Sequence, residues 1–527
     1  MHKYRNFLLL FSAALAVLLW IYFPICFDNN DDQTMLAINS GMLTGIASPY
    51  SFYSNIIIGK WIACFFQFLP TFNWYSFYLE IVLLLVFMVL SWYVLLIHKI
   101  TPIKAFFVLL ILFFGFFSRA IITPQFTTIA LFCSIAALFL YTLPTRARFR
   151  FTAIVSLMTV AILIRSDAFY IFALFSSTLL FRFRKSPLFR RLYWSSLLAV
   201  SLVFIITQTL NRQVRIYKHQ HTFYNAAAID IIAARPIKIE DDVLAQHHFS
   251  KSDIQLIQSW MIVDDAYLSG KKIEGLALQL KSTRKSDAVV SEIKKFIYDE
   301  RYLLLLYTVT VVAVVWVSRK LLIVSIINVL LAVGLFGYLI IAYRLPHRIT
   351  FPILSYLILS NLFLVIKSEA KPNIKTAILT VLLLLSGYKF YCTLQMAPLH
   401  AARQQNYISC IKEINTHPND LFIGADAFPL EAMDAKTSPA NSIPAHNLFL
   451  TGWYACMPDY QTMLERYRLK NLSSDLQHVS SVYFITENKA MMQSYVEVMK
   501  YRHHLQCHFE PATEFKVLKT QKLIMGN

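Results

Sequence analysis

Long apolar runs alternate with short polar links along most of the chain. A helix that crosses a bilayer needs about 20 consecutive apolar residues, with a range near 17–25. On that measure the sequence predicts about eleven spans, at roughly 6–27, 79–98, 103–122, 125–143, 150–165, 168–183, 191–210, 302–318, 320–343, 347–366 and 374–395. The fifth and sixth are short and meet at Arg165-Ser166-Asp167, as a tight hairpin or a partly buried pair. The first run follows a short basic start, as a signal peptide does. It reaches spanning length, however, and no small-residue cleavage site follows, which reads as an uncleaved first helix.

The links between these runs test the layout. With the N-terminus inside, the inner links carry Lys3, Arg5, Lys99, Lys104, Arg146, Arg148, Arg150, Arg182, Arg184, Lys185, Arg190, Arg191, Arg319, Lys320, Lys367, Lys371 and Lys375. The short outer links carry only Lys60, Arg119, Arg165, Arg344 and Arg348. Basic residues favour the cytoplasmic side, and a miscounted span would break this alternation. Three longer segments then fall outside: 28–78, 211–301 and the C-terminal part from 397 to 527. In the last, Asp420–Gly424, Ser481–Thr486 and Phe515–Leu518 read as strands, with Met457–Leu469 and Asn488–Arg502 as helices between them. The expected fold is mainly α: a polytopic transmembrane domain over 1–396, with a small extracytoplasmic α/β domain over 397–527.

Composition agrees. Of 527 residues, 57% are hydrophobic and 15% charged, and mean hydropathy is +0.53. Soluble domains run near 45–50% apolar and about 25% charged. The net charge of +19 resides largely in the inner links, where it orients a membrane protein. That position argues against a nucleic-acid partner. Cys26, Cys64, Cys133 and Cys392 read as small hydrophobes. Cys410, Cys456 and Cys507 would permit one disulfide if the C-terminal part is exported.

Candidate chemistry gathers at the outer ends of the spans. Asp28-Asn29-Asn30-Asp31-Asp32 follows the first span directly. Adjacent carboxylates near a low-dielectric boundary repel each other, and burial raises a carboxylate pKa. Such a group is suited to take a proton from a hydroxyl. The plainer reading is an acidic turn capping a helix that begins near Gln33. Ile56–Leu69, apolar but for Lys60 and ended by Pro70, reads as an interfacial helix. Asn73-Trp74-Tyr75 then marks the headgroup level. Arg119, Arg165 with Asp167, and Arg344, His347 and Arg348 flank other outer ends. The charge rule does not account for cations on this face. Ionisable groups at membrane depth tend to face a cavity or a partner, and arginine's fork matches phosphate oxygens. Snorkelling and the pairing of Arg165 with Asp167 are the plainer readings.

Weaker clusters lie elsewhere. Lys218-His219-Gln220-His221 and His247-His248 lack a third metal ligand at firm spacing. Asp241-Asp242 and Asp264-Asp265 sit in charged, helix-like stretches that read as solvated surface, and Asn471-Leu472-Ser473 fits a common sequon.

With these residues in view, the chain resembles the GT-C class of membrane glycosyltransferases, which use polyprenyl-phosphate-linked sugars on the outer face. That class has an acidic residue or pair in the first outer loop, a place held here by Asp31-Asp32 with Asp28 close by. It also has interfacial helices in that loop, matched by Ile56–Leu69, and many members end in an exported domain. The likeness extends to Asn73-Trp74-Tyr75, to Arg119 through Phe126-Thr127-Thr128, and to Gly452-Trp453-Tyr454. The D-E spacing of protein mannosyltransferase-like members and the WWD signature of oligosaccharyltransferases are both absent. The resemblance implies hexosyl or pentosyl transfer from a polyprenyl-phosphate donor to a lipid or polysaccharide acceptor. Asp31, Asp32 or Asp28 would serve as base. Lys60, Arg119, Arg165, Asp167, Arg344, His347 and Arg348 are the candidates for the phosphate side. No cofactor is implied with certainty, and a divalent metal stays open. Long apolar runs with short basic links suggest a bacterial inner membrane. An O-antigen ligase- or polymerase-like transferase would share the donor. A lipid or solute transporter would place charge at mid-span in matching halves.

Overall fold

The computed structural model describes residues 2–526 except 98–99, 184, 213, 215–231, 233–238, 262–269, 283–285, 318, 343, 440–445 and 471. The His219/His221 cluster, Asp264-Asp265 and Asn471 lie outside the described residues.

Ten helices form the first part: α1 (His2–Tyr22), α2 (Asn30–Ser40), α3 (Ile56–Phe68), α4 (Trp74–Leu95), α5 (Pro102–Leu112), α6 (Ser118–Ile122), α7 (Phe126–Leu140), α8 (Ala147–Ile164), α9 (Ala168–Arg182) and α10 (Pro187–Leu210). Then come α11 (Asp241–Gln246), α12 (Lys251–Gln258), α13 (Gly270–Ser282), α14 (Ser286–Asp299), α15 (Arg301–Val317), α16 (Arg319–Ala342), α17 (His347–Lys367), α18 (Pro372–Leu394) and α19 (Ala397–Asn415). Among the described residues eight helices are long and apolar enough to cross a membrane, or nine if 289–299 and 301–317 form one span bent by 76°. Two of the eleven expected spans are shorter helices, α7 and α9, of 15 residues each. For α7 the reason is packing. It is buried along its whole length between α4, α8, α9 and α17, so it meets protein and not lipid. α5 and α6 are one span joined by a π-helical turn, Phe113–Phe117.

The segment 28–73, expected to be the first outer loop, is folded, not slack. Asn29 caps α2 by accepting the Asp31 amide at 3.1 Å. The helix therefore starts at Asn30, and neither Asp31 nor Asp32 is its cap. Their charge in the first turn suits the positive end of the helix dipole. Gly41 ends α2 at φ +73°, with the Met42 amide returning to Ala37 O at 3.0 Å. A side chain there would be left-handed and would meet the Ile46 backbone. α3 buries Ile56, Gly59, Ile62, Ala63 and Phe66 and exposes Trp61, Phe65 and Phe68. That division of faces fits the interfacial helix expected from the sequence.

The C-terminal part holds β1 (Leu421–Gly424), β2 (Leu448–Leu450), α20 (Pro458–Arg466), β3 (Val482–Ile485), α21 (Lys489–His503), β4 (Cys507–Pro511) and β5 (Thr520–Met525). The sheet order is β2-β1-β3-β5-β4. β1 runs parallel to β2 and β3, and β5 is antiparallel to β3 and β4. β1 and β3 are buried at every residue, as central strands with both faces covered must be. The expected strand at Phe515–Leu518 is not one. Phe515 and Leu518 fill the core from a bend, and the strand begins at Thr520. Cys410 and Cys507 are free thiols, so neither joins a disulfide, and the Cys456 side chain lies outside the described set.

Candidate functional site

The C-terminal part docks on the segment 25–73 through several backbone acceptors. Asn73 Nδ2 donates to Ala435 O at 2.9 Å, Gln404 to Ile25 O at 2.9 Å, and Arg466 to Thr44 O at 2.9 Å. Ser48 Oγ donates to Asp459 Oδ2 at 2.9 Å. Between loop and sheet lies a cavity of about 710 Å³. Its walls are the start of α2, the start of α17, and the turns that follow β1 and β2. Carboxyl ends of parallel strands are where α/β sheets open toward ligands. Asp31, Arg344, Arg348, Arg403 and Trp453 all line it.

Asp31 is at the centre of this arrangement. Its Oδ2 accepts from Arg348 Nη1 at 3.0 Å, and its Oδ1 accepts from Trp453 Nε1 at 3.1 Å. The two donors come from opposite sides, α17 of the helical body and the turn after β2. Asp32 points the other way. Its Oδ1 accepts from Tyr75 OH at 2.8 Å and from the Phe126 amide at 3.2 Å, while Oδ2 has no hydrogen-bond partner. It is fully buried, and burial pushes its carboxyl well above the usual range. The charges of Asp31 and Asp28 push the same way, against the bonds from Tyr75 and Phe126. Asp28 is exposed and does not line the cavity.

The other sequence candidates divide into three groups. Arg344 and Arg348 line the cavity. Arg165 stands behind its aromatic wall: the guanidinium lies 5.3 Å from the Tyr53 ring centre and 5.4 Å from that of Phe126, and Tyr53 faces the cavity. It also pairs with Asp167 at 3.0 Å, the plainer role considered for it. His347, next to Arg348, turns away. Its Nδ1 lies 2.6 Å from Glu300 Oε1, at the elbow between α14 and α15. Thr350 Oγ1 donates to the same oxygen. Arg119 lies over Phe351, 5.7 Å from the ring centre. Lys60 sits on the exposed side of α3, outside the cavity lining.

Sequence reading missed Arg403, Glu300 and Lys389. Arg403 enters because α19 continues the helix of α18 beyond residue 395. Lys389 is buried in α18 and donates to Gly115 O in the π-helical turn at 2.7 Å. A lysine inside an apolar run was the available signal for it.

No group of three His, Cys, Asp or Glu side chains gathers as a metal site among the described residues. Each oxygen of Asp31 takes one N–H donor, and one of these is a cation. His247 bonds to Gln279 at 2.7 Å, and Asp241 pairs with Lys251 on the surface.

No family model matches the chain, and no curated protein matches it. Among solved structures, the chain is similar to ArnT from Cupriavidus metallidurans. The form bound to undecaprenyl phosphate aligns at 12% identity with a TM-score of 0.41, and the apo form at 13% with 0.42. Each match covers 98% of this chain and 97% of the other.

Proposed function

We propose that the protein is a membrane glycosyltransferase that moves a sugar from a polyprenyl-phosphate donor to a hydroxyl of a lipid or glycan, with Asp31 as base. The observation that supports this reading is one cavity, at the outer ends of the spans, where Asp31 is ion-paired to Arg348 with Arg344 and Arg403 beside it, and Asp426 and Glu431 lie on the facing wall. The donor phosphate would take Arg348 and Arg344, whose forks suit two phosphate oxygens. In doing so it exchanges one anion for another at Arg348 and releases Asp31 Oδ2 from its ion pair. Asp31 then takes the proton as the acceptor oxygen bonds to the anomeric carbon. The bond from that carbon to the phosphate oxygen breaks, and the polyprenyl phosphate leaves with its charge held by the arginines. Asp32, enclosed and raised in pKa, is a positioning residue that fixes α2 against α4 and α7 through Tyr75 and the Phe126 amide.

The test is transfer from a synthetic polyprenyl-phosphate sugar by purified protein in nanodiscs. Asp31→Asn should lower kcat by about 10²–10⁴-fold, the range for a lost general base, while retaining donor binding. An Asp31→Asn protein that transfers at the wild-type rate would overturn the assignment.

A further inference from the structure

The opposite ends of the same helices enclose a second polar cavity. α17 runs 21 residues from His347 to Lys367, which sets the two cavities apart by about 30 Å. Here the ends of α4, α7, α9 and α17 meet the starts of α8 and α10 around a space of about 460 Å³. Arg150, Arg182 and Lys367 line it, and no Asp or Glu does. Arg150 Nη1 donates to Tyr141 O at 2.9 Å, while its Nε is enclosed without a hydrogen-bond partner. Lys367 Nζ donates to Tyr93 OH at 2.7 Å, and that hydroxyl bonds to Thr142 at 2.8 Å. These contacts fix two of the three cations along the wall.

The cavity also has a side exit. A neighbouring space of about 460 Å³ shares Arg182, Phe183 and Ser186 and reaches Ile323 and Val324 of α16. The rim carries exposed Phe181, Leu188 and Ile323. The positive-inside rule explains why cations crowd these links. It does not require three of them to converge on a walled space with no acid, whose exit passes Lys185 to the apolar Phe181, Ile323 and Val324. A polar, cationic pocket opening sideways onto an apolar surface matches an amphiphile with an anionic head.

We infer that this cavity binds the phosphate headgroup of an anionic phospholipid from the leaflet on that side, its acyl chains lying over Phe181, Leu188 and Ile323. Basic pockets between spans on the cytoplasmic side suit such headgroups.

The experiment titrates phosphatidylglycerol into phosphatidylcholine nanodiscs holding the full chain and counts bound lipid by native mass spectrometry. Wild type should show one saturable site. Each cation is worth about fivefold in affinity, so Arg150→Gln/Lys367→Gln should bind about thirtyfold more weakly. The control Arg146→Gln/Arg148→Gln removes the same charge outside the cavity and should stay within about twofold of wild type. If the double variant does not insert, Arg182→Gln alone must still weaken binding about fivefold. Equal loss in the control, or no preference for phosphatidylglycerol over phosphatidylcholine, overturns the site. Complete competition by millimolar glycerol phosphate would keep the phosphate site but overturn the lipid as its ligand.

Discussion

Arg348 and Asp31 should be strongly coupled. Their side chains are only 14% and 10% exposed and meet at 3.0 Å. Removing one partner of such a pair leaves a buried charge uncompensated, which costs about 3–5 kcal/mol. In Arg348→Gln the Asp31 carboxylate keeps the Trp453 bond, so about 3 kcal/mol is expected. Asp31→Asn leaves a guanidinium beside a solvated cavity and should cost about 1 kcal/mol. In the double variant no stranded charge remains, and the total should return to about 1–2 kcal/mol. The coupling is then about 2–3 kcal/mol, at the upper end of what contacting residues show. Unfolding by sodium dodecyl sulfate in mixed micelles, followed by tryptophan fluorescence, measures all three variants. Single costs that simply add, to within about 0.5 kcal/mol, would refute the idea that the pair is electrostatically one unit.

Other outcomes follow from neighbouring contacts. Burial pushes Asp459 from 3.8 to about 6, against the bond from Ser48. A raised folded pKa means the folded state holds the proton more tightly, so stability is greatest below the unfolded pKa and falls as pH rises toward about 6. The roughly two-unit shift is about 3 kcal/mol, and Asp459→Asn should abolish that part of the stability–pH curve between pH 4 and 6. An unchanged curve would remove Asp459 as its source. Trp453→Phe deletes the donor to Asp31 Oδ1 and should destabilise by about 1.5–3 kcal/mol, more than Trp61→Phe on the exposed face of α3. Gly59→Ala would bring a methyl within 2.0 Å of Pro49 O. A loss of about 1–3 kcal/mol is expected, and a neutral result would mean that the 49–59 loop yields.

Most of the helical body was legible because lipid imposes a length and a charge rule on the chain. The length rule marked 125–143 as a span, and the helix found there, α7, is shorter because it is enclosed by protein and so escapes the length requirement. The Asp28–Asp32 run was visible as chemistry, but five residues of sequence do not say which carboxylate faces out. That is decided by helix phase: one residue of rotation in α2 sends Asp31 to Arg348 and Asp32 to Tyr75. Arg344 and Arg348 were found because cations on the face expected to be outer break the charge rule. Arg403 was not, because a polar helix beyond a span carries no such signal. β2 and β4 are short and irregular in pattern, and Phe515–Leu518 is apolar enough to imitate a strand while packing from a bend.

The bond between Trp453 and Asp31 joins residues 422 apart in the chain. During synthesis Asp31 is made early and Trp453 late. Until β2 and its following turn have been made and seated, the carboxylate lacks one of its two donors and the cavity lacks a wall. The cavity therefore becomes complete only after the helix ending at Asn415 has been made, so a chain stalled at that point still presents a half-built centre.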